Sequence, residues 1–318
     1  MNFSTINSDV DRPFRRYTRF LLFCLFGGLA VLGILTYSVD PYGIFGNNTL
    51  GIYISAEREA KITMIHDYPH DVLLLGNSKS ALVAVGGVKE AKVFNGGIAG
   101  ASLAEILLYA ERFARPQELV ILGVDLGQDG SVGQVEEDPF RPLNVKRKAG
   151  YIFSLKSVEY TFKTLGKSWS GAPPSLKVNG AQHPERWYRA YREPNSPLLA
   201  YRVEQFVDGW IAQISIEPEA FDAYKRLKEM LADRGAELRV FVYPMHPDIT
   251  SKFTEEHRMH LSQWRFEMQR IFPRMQDFSR GEYSSYEHFT ATDPVHFLPE
   301  TGTCILSKIL SAKDDAGR

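Results

Sequence analysis

The sequence predicts an α/β domain whose parallel sheet is covered by helices on both faces, preceded by one membrane-spanning helix. Short continuous apolar segments are typical of strands that are buried on both sides. Amphipathic helical segments alternate with them, which is the pattern of a parallel sheet. Before them lies one uncharged apolar run of about 20 residues, long enough to cross a bilayer.

The composition excludes several other classes of protein. The chain has 318 residues, of which 44% are hydrophobic and 24% charged, as in ordinary globular proteins and unlike disordered or collagen-like chains. Its 37 Lys and Arg balance 38 Asp and Glu, so no basic field indicates nucleic acid as a partner. Cys24 and Cys304 are the only cysteines, too few for a disulfide framework or a cysteine-based zinc site. We expect no metal and no cofactor.

The apolar run at residues 20–39 is predicted to be a retained anchor. A cleaved signal peptide would have a shorter apolar region that ends in small residues at a cleavage site. This run is longer, exits through residues 36–41 without such a site, and has Phe23 where a lipoprotein signal needs a small residue before Cys24. We expect the first 40 residues to lie outside the folded domain.

The flanking charges predict the orientation of this anchor. Four arginines precede the run, and the next cation after it is Arg58. By the positive-inside tendency, the tail at residues 1–19 stays in the cytoplasm. The chain from about Asp40 onward is then extracytoplasmic, in the periplasm if the cell is Gram-negative, and the protein is a single-pass protein of the cytoplasmic (inner) membrane.

After a linker and lead-in at residues 40–70, residues 71–318 are predicted to form the α/β domain. Ser102 begins a helix with Glu105 as its capping-box partner, and Pro116 marks its end. The other elements follow from apolar runs and helical spacing: strands at 71–75, 92–94, 119–124 and 238–243, and helices at 218–234, at 299–310 and from Ser196 onward.

An insertion is predicted at about residues 166–195, where the alternation of strand and helix stops. Pro173 and Pro174 interrupt the pattern, and residues 186–192 combine arginines with aromatic side chains. This segment is either a surface helix packed by its aromatic residues, or a site that stacks on a sugar or binds an anion.

Because ligands bind at the carboxyl ends of parallel strands, the residues that follow each strand are the candidates for function. Ser78 lies on a tight turn after the first strand, where its hydroxyl is exposed near backbone N–H groups, as a nucleophile requires. We expect the neighbouring Lys79 to be solvated; the alternative is that it lowers the pKa of the serine or meets an anionic substrate. A glycine-rich turn follows the second strand, and Gly100 permits close approach of a ligand to the backbone.

Asp293 and His296 are predicted to lie on a loop before the last helix. Their spacing lets the carboxylate orient the imidazole, which then serves as a base. His246, after the fourth strand, either contacts the same pocket or faces water. His257 and His260 are three residues apart on a predicted helix, but no third ligand has matching spacing, so we favour a solvated helix over a metal site.

Together, the Ser78 turn, the glycine turn and the late Asp293–His296 pair resemble the SGNH (GDSL-type) hydrolase superfamily. The resemblance covers residues 71 to the C-terminus and implies a three-layer α/β/α, flavodoxin-like fold. It also implies Ser78 as nucleophile, His296 as base, Asp293 as the residue that orients it, and the N–H groups of Ser78 and Gly100 as oxyanion donors.

Two positions depart from the family pattern. Asn77 stands where the family usually has Asp, and Asp125, at the end of the third strand, stands where the family has an oxyanion-binding Asn. An ionised carboxylate there would repel a developing oxyanion, and losing one donor costs about 10²–10³ in rate. Asp125 is therefore protonated, or turned away to bind another group, or the catalyst is weak.

An anchored extracytoplasmic domain of this kind resembles the D-alanyl-lipoteichoic acid protein D family and, more loosely, the alginate O-acetylation proteins. The resemblance implies O-acyl transfer to, or esterase action on, a cell-envelope polysaccharide, beside a membrane-bound O-acyltransferase. The alternative from another class is a non-catalytic glycan-binding or scaffold protein of an export complex, which Asp125 favours. A lipid-directed esterase is a third possibility.

Overall fold

The computed structural model describes residues 8–53, 57–128, 130, 138–141, 144–183, 196–211, 214 and 216–312. The predicted anchor at residues 20–39, the sheet and all candidate catalytic residues lie within these ranges. The arginine- and aromatic-rich segment at residues 186–192 lies outside the described residues.

The core of the domain is a five-stranded parallel sheet in the order β2-β1-β3-β4-β5. The four predicted strands are confirmed, with bounds that differ by at most one residue. The fifth strand was not predicted, because it consists of two polar residues and so gives no apolar segment in the sequence. The strands are β1 (Val72–Leu75), β2 (Val93–Asn95), β3 (Leu119–Val124), β4 (Glu237–Val242) and β5 (Gln276–Asp277).

Helices cover both faces of this sheet. Alternate residues of β1 belong to two separate cores: Leu73 and Leu75 to one, Val72 and Leu74 to the other. The arrangement is compatible with a three-layer α/β/α fold. The first core receives side chains from α2 (Glu57–Asp67), α4 (Leu103–Phe113), α7 (Ser196–Ile211), α8 (Asp222–Asp233), α9 (Pro247–Ser251) and α10 (Glu255–Ile271), and the second from α11 (Pro299–Ser311).

The predicted helices at Ser102, 218–234, 299–310 and Ser196 are confirmed as α4, α8, α11 and α7. Ser102 and Glu105 form the predicted capping box of α4. Helix α8 is preceded by a 3₁₀ turn at Pro218–Phe221. Helix α2 adds a folded element within the lead-in, where Ile65 is buried in the first core.

A two-stranded antiparallel hairpin carries the late Asp–His pair. It consists of β6 (Phe289–Thr290) and β7 (Asp293–Phe297). The prediction of a loop at residues 293–296 was therefore wrong. The segment is extended because Phe289 pairs with Phe297 and both side chains are buried in the second core.

Helix α1 (Ser8–Val39) contains a segment, Phe14–Val39, that is long and apolar enough to cross a membrane. Its last two turns pack against α5 (Val145–Ile152) and α6 (Leu155–Trp169). Thr161 Oγ1 donates a hydrogen bond of 3.2 Å to Thr36 Oγ1, and both side chains are buried.

One expectation about these segments was wrong: the first 40 residues are not wholly outside the fold, since Gly33, Thr36 and Val39 are buried. The segment predicted as an insertion starts within a helix, because Gly166 lies inside α6. The Lys-rich sequence of α5 and α6 concealed a helical pair that packs on α1.

Candidate active site

The sheet topology creates a crevice at the carboxyl ends of β1 and β3. Strand β1 lies between β2 and β3, so the connection after β1 runs to β2 on one side, whereas the connection after β3 runs to β4 on the other. In such sheets this switch point is where ligands bind. Ser78 follows β1 and Asp125 follows β3, which places both at the crevice.

A sharp turn after β1 positions Ser78. Asn77 caps the short helix α3 (Ser78–Ala81), and its Oδ1 accepts a hydrogen bond of 3.0 Å from the Lys79 N–H. Gly76 has a φ of 147°, and a Cβ there would overlap Tyr243 Oη and Ser80 Oγ. Only glycine fits this combination of backbone conformation and space, so the turn sets Ser78 at the start of α3.

The structure brings Ser78, His296 and Asp293 into one hydrogen-bonded chain. Ser78 Oγ lies 2.9 Å from His296 Nε2, and His296 Nδ1 lies 2.9 Å from Asp293 Oδ2. This contact joins residues that are 218 positions apart in the sequence. With the proton on Nδ1 held by the carboxylate, Nε2 is free to accept the serine proton, as a general base must.

Asp293 is held as a carboxylate. Burial raises its pKa, but the hydrogen bond and charge of His296 and two backbone N–H groups outweigh burial, so the pKa lies below its usual value. Its Oδ1 accepts hydrogen bonds from the N–H groups of Val295, at 2.9 Å, and His296, at 3.3 Å. An ionised Asp293 keeps the imidazole in one tautomer and stabilises it when it becomes protonated.

Gly100 lies on the glycine-rich turn that connects β2 to α4. Its φ of 68° places it in the left-handed region, and it is exposed. Asn95 orders this turn: its buried amide donates to the Ser80 carbonyl at 2.8 Å and its Oδ1 accepts from the Gly97 N–H at 3.0 Å. The backbone N–H groups of residues 95–99 and 101 all donate within the protein, whereas that of Gly100 donates to no group of the described residues.

Asp125 is engaged by two side chains. Lys79 Nζ forms an ion pair with its Oδ1, and Asn77 Nδ2 donates a hydrogen bond of 2.6 Å to its Oδ2. The sequence left three possibilities for Asp125. The structure shows the second, in which the carboxylate binds another group of the protein. The prediction that Lys79 is solvated was wrong, since its side chain is buried between Asp125 and the rings of Phe206 and Tyr243.

His246 is buried behind the β6–β7 hairpin. Its ring contacts those of Tyr286 and Phe289, with centroids 5.3 Å and 5.0 Å away. Its Nδ1 accepts a hydrogen bond of 3.2 Å from the Asp248 N–H, and burial lowers its pKa. The ring does not face water, and its contact with β6 supports the hairpin that carries His296.

His257 caps helix α10. Its N–H donates to Thr254 Oγ1 and its Nδ1 accepts from the Thr254 N–H, both at 3.2 Å. Within the described ranges, no three His, Cys, Asp or Glu side chains are grouped as a metal site would require.

Sequence reasoning missed two buried polar residues that support the site. Lys61 on α2 donates to the Gly97 carbonyl of the glycine turn. Tyr243 Oη lies 2.7 Å from Ser80 Oγ, between β4 and the Ser78 turn. A lysine on a helix is usually solvated and a tyrosine at a strand end usually belongs to the core, so neither residue carried a sequence signal.

Comparison with known proteins adds no family to this description. No protein-family model and no curated protein sequence matches the chain. The functional argument therefore depends on the fold and on the geometry of the site.

Proposed function

We propose that this chain is a membrane-anchored, extracytoplasmic serine enzyme that acts on acyl esters of a cell-envelope polysaccharide. The observation that carries the proposal is the chain of two 2.9 Å contacts from Ser78 Oγ through His296 to Asp293. Its location at the switch point of a parallel sheet, together with the SGNH-like motifs, supports the same assignment.

In the proposed reaction, Ser78 Oγ attacks the carbonyl carbon of an acyl ester while its proton passes to His296 Nε2. The tetrahedral intermediate collapses, the ester C–O bond breaks, and the leaving alcohol takes the proton from Nε2. An acyl-Ser78 ester remains. A sugar hydroxyl or water then attacks it by the reverse sequence, giving O-acyl transfer or hydrolysis.

The oxyanion of each tetrahedral intermediate would be stabilised by the N–H groups of Ser78 and Gly100. Gly100 has an N–H without a partner among the described residues, as a donor reserved for a ligand would. The ion pair with Lys79 compensates the charge of Asp125, so the carboxylate opposes an oxyanion less than a free one would.

Helix α1 would serve as the retained anchor of this enzyme. Arg15, Arg16 and Arg19 lie at its N-terminal end, and by the positive-inside tendency they favour a cytoplasmic location for that end. Tethering raises the local concentration of the domain near membrane-bound components. A membrane-bound O-acyltransferase that supplies the acyl group is the partner this topology favours.

The test is labelling of the full chain by a fluorophosphonate, which reacts with activated serines. Wild type should label, and Ser78→Ala should not. Ser262→Ala is the matched control, because Ser262 is an exposed serine on α10 whose Oγ donates its hydrogen bond, of 2.8 Å, to the Arg258 carbonyl and not to a histidine. If wild type and Ser262→Ala fail to label under conditions in which the protein is folded, the proposal is wrong.

The alternative is a non-catalytic glycan-binding or scaffold role. Asp125 favours it, because a carboxylate occupies the position of the family's oxyanion-binding Asn. The two roles differ in cells: an enzyme predicts that Ser78→Ala lowers the acyl content of the envelope as much as deletion does. A scaffold predicts normal acyl content in Ser78→Ala and a defect on deletion alone.

A further inference from the structure

The turn between α5 and α6 exposes two large apolar side chains. Phe153 is 59% exposed and Leu155 is 90% exposed, on either side of the helix cap Ser154. A turn between two helices of a domain in water is usually polar, because its backbone and side chains face solvent. We call Phe153 and Leu155 the apolar tip.

The apolar tip lies against the apolar segment of α1. A Cβ built on Gly33 would be 2.8 Å from Phe153 Cε1 and 3.2 Å from Ile152 Cγ2, so Phe153 of the tip and the neighbouring Ile152 pack on the bare backbone at Gly33. At a rise of 1.5 Å per residue, Gly33 lies about 9 Å along the helix axis before Val39, where the apolar segment ends. Interfacial helices bury their apolar faces to about 5–10 Å in the bilayer, which is the depth of the tip if the apolar segment spans it.

Basic and aromatic side chains lie on the two helices that carry the tip. Lys146 and Lys156 are exposed on α5 and α6, and Lys156 Nζ lies 5.6 Å from the centroid of the Tyr160 ring. Tyr160 and Tyr151 pack on Tyr42, just beyond the end of α1, with centroids 5.5 Å and 5.2 Å away. Lysine and tyrosine are the residues that favour the interface of a membrane with anionic lipids.

We propose that the apolar tip inserts into the leaflet of the membrane from which α1 emerges, with the lysines of α5 and α6 at the phosphate level. The α5–α6 pair is then a second membrane contact beside the anchor. This inference rests on α1 being a membrane span, and it does not depend on the chemistry proposed for Ser78. Two contacts, instead of one, fix the height and rotation of the domain above the bilayer, and with them the direction in which the crevice faces.

The experiment uses the full chain in nanodiscs of phosphatidylethanolamine and phosphatidylglycerol, labelled at a single cysteine with an environment-sensitive nitrobenzoxadiazole dye. The tip probes are Phe153→Cys and Leu155→Cys in a Cys24→Ser, Cys304→Ser background. The matched control is Met259→Cys on α10, where the native side chain is 59% exposed, as at Phe153. Native Cys24, labelled in Cys304→Ser, reports on the anchor.

Lipids that carry a nitroxide on the acyl chain should quench the dye at positions 24, 153 and 155 at least twofold more than at position 259. Emission at the two tip positions should also shift to the blue relative to position 259. If position 24 is quenched while 153 and 155 behave like 259, the anchor stands and the tip lies outside the bilayer, which overturns the inference. If position 24 is not quenched either, α1 is not a span, and both the inference and the anchored topology are wrong, whereas fluorophosphonate labelling of Ser78 is unaffected.

Discussion

Lys79 pairs with Asp125 across the crevice between β1 and β3, and their side chains are only 5% and 17% exposed. The lysine is adjacent in sequence to Ser78, and the aspartate stands where the SGNH resemblance implies an oxyanion-binding Asn. The pair therefore places a positive and a negative charge beside the candidate nucleophile without adding net charge to the site. It also joins the two strands whose opposite connections form the crevice.

Breaking this ion pair should destabilise the fold more than removing both charges. Asp125→Asn leaves a buried ammonium without its carboxylate, which we expect to cost about 3 kcal/mol of unfolding free energy. Lys79→Met/Asp125→Asn should recover most of that loss, because no uncompensated charge remains. Urea unfolding of the detergent-solubilised chain measures both. If the double variant loses as much unfolding free energy as Asp125→Asn, or more, the two charges are not coupled.

The parts of the site that sequence reasoning predicted are those with a local signal. Ser78 stands on a strand-to-helix turn, and Asp293 and His296 have a spacing that brings them face to face. The Lys79–Asp125 pair has no such signal, because its partners are brought together by the β1–β3 pairing and a lysine next to a turn usually faces water. The packing of α5 and α6 on Gly33 and Thr36 was also missed, since small and hydroxyl residues in an apolar helix fit lipid as well as they fit protein.

The depressed pKa of Asp293 predicts a loss of stability in acid. The unfolded chain binds the proton near its ordinary pKa of about 3.9, whereas the folded chain binds it only at lower pH. The stabilisation is thus complete above about pH 4 and is lost as pH falls through the folded pKa. Thermal unfolding at pH 7 and pH 3 should show a smaller drop in melting temperature for Asp293→Asn than for wild type.

Asp233→Asn is the control for this titration, because Asp233 is exposed at the end of α8. It should show the wild-type drop between pH 7 and pH 3. Asp293→Asn should also lower fluorophosphonate labelling by about 10³–10⁴-fold, since the imidazole loses the group that fixes its tautomer. An unchanged acid sensitivity in Asp293→Asn would mean that this carboxylate is not stabilised in its ionised form.

Lys61 predicts that stability also rises with pH in the alkaline range. Burial lowers its pKa to about 8, and the charge of Glu57 only partly offsets this. Between about pH 8 and the unfolded value of about 10.4, the unfolded chain binds more protons, so stability rises with pH. The slope from this one group is at most about 1.4 kcal/mol per pH unit. Unfolding free energies measured at pH 8 and pH 10 should show this rise in wild type and a flatter profile in Lys61→Met. The control is Lys92→Met, which should behave like wild type because Lys92 is exposed.

Two glycine substitutions separate lack of space from backbone strain at the site. Gly76→Ala places a Cβ against Tyr243 Oη and Ser80 Oγ at a φ of 147°, so the turn that carries Ser78 must move. Gly100→Ala meets no atom within 4 Å and strains only its φ of 68°, at a cost of about 1 kcal/mol.

We expect Gly76→Ala to abolish fluorophosphonate labelling and lower the melting temperature by more than 5 °C, about what 1–2 kcal/mol produces. Gly100→Ala should keep the fold and label more slowly, because only the proposed oxyanion donor is displaced. Normal labelling of Gly76→Ala would show that the position of Ser78 does not depend on this turn.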